Sequence, residues 1–209
     1  MFSKFLSKSY HRQLLERHIK LYSSKVTGQV LDVGSGSRRY DKLFKADNIT
    51  AIDIQADPEK NILQGDMHSL DFADESFNNV IFFEVLCYSH NFQQALKEML
   101  RVLKNDGNLL LSIPFLVRDS KDRIRFTRMY FEEIIRQTGI QEYHIDTFGN
   151  SATLIWDILR TVITSRKKRI VRILFSCLLL PYYLFIKLFL NDKKTNSAYY
   201  TGLFICIKK

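Results

Sequence analysis

A chain of 209 residues, 46% apolar and 25% charged, can bury one substantial core, and its composition excludes a disordered or collagen-like protein. The three cysteines, Cys87, Cys177 and Cys206, lack CxxC or zinc-like spacing; they read as reduced thiols in a cytoplasmic protein with no metal site. The net charge of +9 is unevenly spread, with +5 over residues 1–30, −5 over 31–114 and +9 over 115–209. Such basic ends fit RNA, a membrane or an anionic substrate, and charge alone does not choose among them.

The opening region, 1–28, is basic and amphipathic, with Phe2, Phe5 and Leu6 beside Lys4 and Lys8, and it is neither a signal peptide nor a membrane span. QVLDVG at 29–34 is a β-branched run ending in glycine, which predicts a buried parallel strand. LDVGSGSRR at 31–39 places a helix start after it. NITAIDI at 48–54, NILQG at 61–65 and NVIFFEV at 79–85 predict the second, third and fourth strands, with only a thin crossover around DPEK at 57–60. A helix is expected over 91–103, where Phe92, Leu96, Met99, Leu100 and Leu103 recur at helical spacing. Asn91 can cap its start and Gly107 can end it.

NLLLSIP at 108–114 predicts the fifth strand, stopped by Pro114. Thr127 is placed to cap a helix through YFEEIIRQTG, QEYHIDTF at 141–148 reads as an edge strand, and YTGLFICIKK at 200–209 as the last strand. Residues 150–199 interrupt this alternation. They comprise a helix from Ser151 to Thr164 with an apolar stripe of Ala152, Ile155, Trp156, Leu159 and Ile163, then RKKR at 166–169, then an apolar run over 170–190. Strands apolar throughout and separated by helices require a sheet covered on both faces. The whole of 1–209 is therefore expected to form one α/β domain, three-layered and Rossmann-like.

Several candidate residues converge on the C-terminal edge of that sheet. Gly34 and Gly36 allow a tight turn and close approach of backbone to a ligand. Asp53, about twenty residues on and ending the second strand, is placed to accept both hydroxyls of a ribose, with Ile54 beside it. Asp66 follows the third strand, where a carboxylate can receive an adenine amino group while Met67 offers an apolar face to the ring. Taken singly, the glycines can be a plain turn, Asp53 a solvated loop acid and Asp66 a helix cap. The sequence GSGSRR, with Arg38 where dinucleotide folds need a small residue, and the lack of a GxxxxGK[ST] pattern lower the dehydrogenase and triphosphatase readings.

Between about residues 29 and 114, VLDVGSGSR, the acid of AIDI, QGDMHSLDFADESFNNVIFFEVL and ALKEMLRVLKNDGNLLLSIP together resemble the class I S-adenosylmethionine-dependent methyltransferases, in particular the small-molecule group called methyltransferase type 11. The resemblance implies S-adenosylmethionine as cofactor and a mostly parallel seven-stranded sheet ordered 3-2-1-4-5-7-6 with an antiparallel last strand. It implies that Asp32, Gly34 and Gly36 line the methionine end, Asp53 the ribose, and Asp66 and Met67 the adenine. Glu84 to Leu86 would lie beneath the donor methyl, and Gly107 in the turn before the fifth strand. The family often has a histidine soon after the fourth strand; here His90 comes later. His90 and Tyr88 are the candidates on the acceptor side, His90 reading equally as a helix cap or loop residue.

The point after the fourth strand reads FFEVLCY rather than Asp/Asn-Pro-Pro-Tyr/Phe, which disfavours methylation of nucleic-acid bases. In the insertion, the longest uncharged run, Ile173 to Ile186, spans about 21 Å as a helix, short of a bilayer core. It holds Pro181 and lies between RKKR with Arg172 on one side and Lys187, Lys193 and Lys194 on the other. That pattern predicts an element lying in an anionic headgroup region, with the N-terminal region docking alongside it. The competing reading is a lid on the sheet or a homodimer interface. The expected function is methyl transfer to a small or lipid-linked acceptor of glycan or quinone type, peripheral to the inner membrane surface. The alternatives are a non-catalytic S-adenosylmethionine-binding scaffold and an RNA methyltransferase.

Overall fold

The structure is a computed structural model and describes residues 7–117, 121–166, 169–189 and 198–209. Phe2, Lys4, Phe5, Leu6, Lys167, Lys168, Lys193 and Lys194 lie outside the described residues. In chain order the elements are α1 (Tyr10–Tyr22), β1 (Gln29–Val33), β2 (Asn48–Asp53), β3 (Ile62–Gln64), β4 (Phe77–Phe83), α2 (Phe92–Val102), β5 (Leu103–Pro114), α3 (Arg128–Gln137), β6 (Glu142–Phe148), α4 (Ser151–Thr164), α5 (Arg169–Phe189) and β7 (Gly202–Lys208). The strands form one sheet in the order β3-β2-β1-β4-β5-β7-β6. All neighbours are parallel except β7, which runs antiparallel to both β5 and β6.

Alternation along the strands divides the core in two. Leu31, Val33, Val80, Phe82, Leu109 and Leu111 face α2 and α3. Val30, Ile81, Phe83, Leu110 and Phe204 face the other way, under α1, Trp156 and Ile163 of α4 and Ile186 of α5. The result is the expected three-layer α/β fold. The caps read from sequence form as expected: Asn91 Oδ1 accepts from the Gln94 N–H and Thr127 Oγ1 from the Tyr130 N–H.

Three local expectations are corrected. No α-helix follows β1; the chain takes a turn and a single 3-10 turn at Asp41–Leu43. Arg38 explains this, because its backbone is left-handed at φ +51°, a conformation that ends helices. Its guanidinium points away from the ligand edge, donating to the carbonyls of Ile49 and Asn61 at 3.0 and 2.9 Å and to Asp41 Oδ2 at 2.7 Å. Secondly, Gly107 neither ends α2 nor forms a turn before β5. It lies within β5, where a Cβ would meet Leu103 Cδ1 at 2.7 Å and the Asn78 carbonyl at 2.8 Å.

Thirdly, Ile155 leaves the expected buried stripe of α4 and faces outward, because the helix packs through Thr153, Trp156 and Ile163. The apolar residues on which N-terminal docking rests, Phe2, Phe5 and Leu6, lie outside the described residues, and the apolar side of α1 itself faces inward. Tyr10, Leu14, Leu15 and Ile19 are buried in the core. Among the described residues, no helix is long and apolar enough to cross a membrane.

Candidate active site

The turn leaving β1 is built by backbone. The N–H groups of Gly34 and Ser35 both donate to the Ile52 carbonyl, at 2.9 and 3.1 Å, so the turn is stitched to the end of β2. Gly34 and Gly36 have φ +70° and +57°, the left-handed region that glycine occupies without penalty. A Cβ on Gly34 would lie 2.5 Å from Val85 Cγ2, whereas one on Gly36 would meet nothing within 4 Å. The first glycine is thus required by packing, and the second leaves open space beside the backbone.

Asp53 closes the other side of that space. Its Oδ2 accepts the Gly36 N–H at 3.0 Å, so the acid ending β2 and the turn ending β1 touch directly. The two belong to a cavity of about 780 Å³, within the range of small-molecule sites, roughly 300–1,000 Å³. All ten residues singled out from sequence line it: Asp32, Gly34, Gly36, Asp53, Ile54, Asp66, Met67, Glu84, Tyr88 and His90. Leu86, from the expected 84–86 segment, does not; it is buried in the core against the α2 side of the sheet.

Charge in the cavity is mostly carboxylate. Asp32 is buried, and its pKa is pushed up to about 8 by loss of hydration, with Asp41 as the next contribution. A ligand cation beside it would restore the ionised form. Glu84 has a left-handed backbone at φ +62°, a conformation that non-glycine residues hold only under constraint. The constraint is visible: the Ser112 hydroxyl donates to Oε1 at 2.9 Å, and His11 Nε2 lies 2.9 Å from Oε2. Asp66 accepts from the His68 N–H at 2.9 Å and pairs with His68 Nδ1 at 2.6 Å, both through Oδ1. The first of these holds its carboxyl below the usual range. It forms an aspartate turn rather than a helix cap. The His68 ring lies against His90, tilted by 38° with 4.0 Å between centroids.

The sequence reading missed one wall. Ser9, the N-cap of α1, and His11, Arg12 and Leu15 within α1 line the same cavity, as do Arg39 and Tyr40 beyond the turn. Helix α1 is held there by α4. The N–H groups of Tyr10 and His11 donate to the two oxygens of Asp157, at 2.6 and 2.8 Å, and Ser9 Oγ accepts from the Arg12 N–H. These satisfy three donors that a helix N-terminus otherwise leaves orphaned. Burial raises the pKa of Asp157, and the two backbone donors oppose that shift. The one available signal was Asp157 itself, a lone acid in the apolar SATLIWDILR helix.

These residues fit an adenosyl amino-acid ligand. Asp53 and the free face of Gly36 suit a ribose, and Met67 and Asp66 suit a flat base carrying an amino group. Asp32 and Glu84 suit an ammonium group; Arg12 and Arg39 suit a carboxylate, and both act electrostatically on Tyr40 together with Glu84. Ser35 Oγ is buried with no hydrogen-bond partner among the described residues, leaving a polar group in the turn for such a ligand to satisfy.

The methyltransferase domain family matches residues 31–111. No functionally curated protein is significantly similar in sequence. Solved structures of the same fold include an S-adenosylmethionine-dependent methyltransferase from Archaeoglobus fulgidus, with 13% identity over 100% of this chain and 98% of that one and a TM-score of 0.62. The cyclase SpnF has 17% identity over 98% of this chain and 84% of its own, with a TM-score of 0.63. Phosphoethanolamine N-methyltransferase 2 of Haemonchus contortus, in complex with S-adenosylmethionine, has 15% identity over 95% of this chain and a TM-score of 0.59. This chain spans only 52% of that protein's length. Residues 31–111 thus match a methyltransferase domain, and the whole chain has the class I S-adenosylmethionine-dependent methyltransferase fold, with a cavity that fits that cofactor.

Proposed function

We propose that this chain methylates a small or lipid-linked acceptor, of glycan or quinone type, at the cytoplasmic face of a membrane. It would act as one domain, with the N-terminal region as a wall of the cavity and 150–199 as its membrane-facing part. The observation that carries the methyl-transfer site is the contact between the Asp53 carboxylate and the Gly36 N–H across one cavity. The bound cofactor supplies an electrophilic methyl group on a sulfonium; the protein's own residues bind, orient and exclude water. In this reading Asp53 with Ile54 holds the ribose, Asp66 with Met67 the adenine, and Asp32, Gly34 and Glu84 the methionine end, with Arg12 and Arg39 taking the carboxylate.

Acceptor entry falls to the side lined by Tyr88 and His90. An acceptor hydroxyl needs a group to receive its proton, and His90 is the imidazole in the cavity closest in sequence to the fourth strand. Its neighbour His68 is already engaged, with Asp66 on Nδ1 and the Ser89 hydroxyl 2.7 Å from Nε2. Isothermal titration with S-adenosylmethionine tests the site. Wild-type chain should bind, and Asp53→Ala, which removes a charged acceptor for two hydroxyls, should weaken binding at least about tenfold. Equal affinity in both would remove Asp53 from the site.

A second reading, a scaffold that binds the cofactor without methyl transfer, has one observation behind it: the similar fold of SpnF, a protein named as a cyclase. Incubation with methyl-labelled cofactor and membrane extract separates the two, since a scaffold leaves the extract unlabelled.

A further inference from the structure

The outer surface of the 150–199 segment inverts the usual pattern of a surface helix. Along α5, Ile170, Leu174, Leu178, Pro181, Leu184 and Leu188 recur at helical spacing and all face outward; Leu178 and Leu188 are each 70% exposed. Ile155, Ile158 and Val162 add an outward apolar row on α4. The opposite side of α5 is already committed. Leu179, Tyr182, Tyr183 and Ile186 pack into the core, the Tyr182 hydroxyl donates to the Ala152 carbonyl at 2.9 Å, and Tyr183 lies against Trp156 at 5.0 Å. A single large exposed apolar face of this kind marks an interaction site.

We infer that the outward faces of α4 and α5 form a docking surface for the headgroup region of an anionic bilayer, on which α5 lies flat. Charge selects this occupant. Between Ile158 and Asn191 the sequence has seven basic residues and no acidic one, and among the described ones Arg166 and Lys187 are exposed. Anionic headgroups neutralise such a rim while the acyl boundary takes the apolar face. A second copy of the chain would set two basic rims against each other, a like-charge arrangement that opposes pairing. Lying flat follows from the packing: crossing a bilayer would require stripping Tyr182, Tyr183 and Ile186 from the core they fill.

This deepens the membrane part of the proposed function and is independent of the methyl-transfer part, so the two fail separately. Full-length protein is floated with vesicles of phosphatidylcholine alone, or of phosphatidylcholine with about 30 mol% phosphatidylglycerol. Flotation is expected with the anionic vesicles and should fall as salt is added. The double variant Leu174→Glu with Leu178→Glu changes two exposed positions; its binding should drop at least about tenfold, while an unchanged circular-dichroism melt shows that it folds. Equal flotation of wild type and variant overturns the proposal, as does equal flotation on neutral and anionic vesicles. A wild-type chain that does not float but forms a dimer broken by the same variant assigns the face to a second copy and also overturns it. Loss of cofactor binding in a chain that still floats refutes only the methyl-transfer reading.

Discussion

Replacing Gly34 by alanine tests the geometry of the turn more directly than any change to a charged residue. Two costs add. The backbone is left-handed at φ +70°, which costs an alanine about 1–2 kcal/mol. The new methyl would also sit 2.5 and 2.6 Å from the two γ-carbons of Val85, an overpacking worth about 1–3 kcal/mol. The sum, about 2–5 kcal/mol, is a large part of the 5–15 kcal/mol that typically holds a domain together. Gly36→Ala carries only the first cost, because nothing lies within 4 Å of its Cβ.

Urea or thermal denaturation of both variants should place Gly34→Ala well below Gly36→Ala, by roughly 5–10 °C in Tm. Adding Val85→Ala to Gly34→Ala should recover part of the loss, giving a favourable coupling of about 1 kcal/mol or more in a double-mutant cycle. The consequence reaches function, because Val85 follows Glu84 and both line the cavity; forcing Val85 aside displaces the wall opposite the turn. Equal stabilities for the two glycine variants, or no coupling to Val85, would refute the argument.

Two further outcomes follow from buried acids. Burial pushes the Asp32 carboxyl up to about 8, from the roughly 3.9 of an exposed aspartate, so the folded state holds the proton more tightly and stability falls as pH rises between these values. The contribution is fully present below the lower value and gone once pH passes the upper. Asp32→Asn should therefore gain stability relative to wild type between about pH 5 and about pH 9; a difference unchanged across that window would show that Asp32 does not carry the shift. Asp157→Ala leaves the Tyr10 and His11 amides without their acceptor, at a cost of about 1–2 kcal/mol. Hydrogen exchange should accelerate in α1 and stay unchanged in α3, and equal protection of α1 in the variant would dismiss Asp157 as its anchor.

Much of the site was legible because the sheet converts short sequence patterns into positions. Once QVLDV, NITAID and FNNVIFF are parallel neighbours, the residues at their C-terminal ends share one edge, so Gly34, Asp53 and Glu84 had to meet. What no local pattern could reveal was α1. His11 is an ordinary histidine in a basic helix until folding places it 2.9 Å from Glu84, and its seat depends on Asp157, 146 residues away. The missing helix after β1 was illegible for a related reason: the left-handed backbone of Arg38 ends it, and the carbonyls that anchor the Arg38 side chain belong to Ile49 and Asn61, distant in sequence.

The sequence by itself determined the strands, the caps of α2 and α3 and the glycine turn after β1, because alternation, capping and glycine turns act over a few residues; the strand order was legible only through the family resemblance. Only the tertiary structure decided which wall closes the cavity, which side of α4 and α5 remains outside, and that burial pushes the pKa of Asp32 up. Those outcomes depend on burial and on contacts between distant segments, and neither quantity exists until the layers pack.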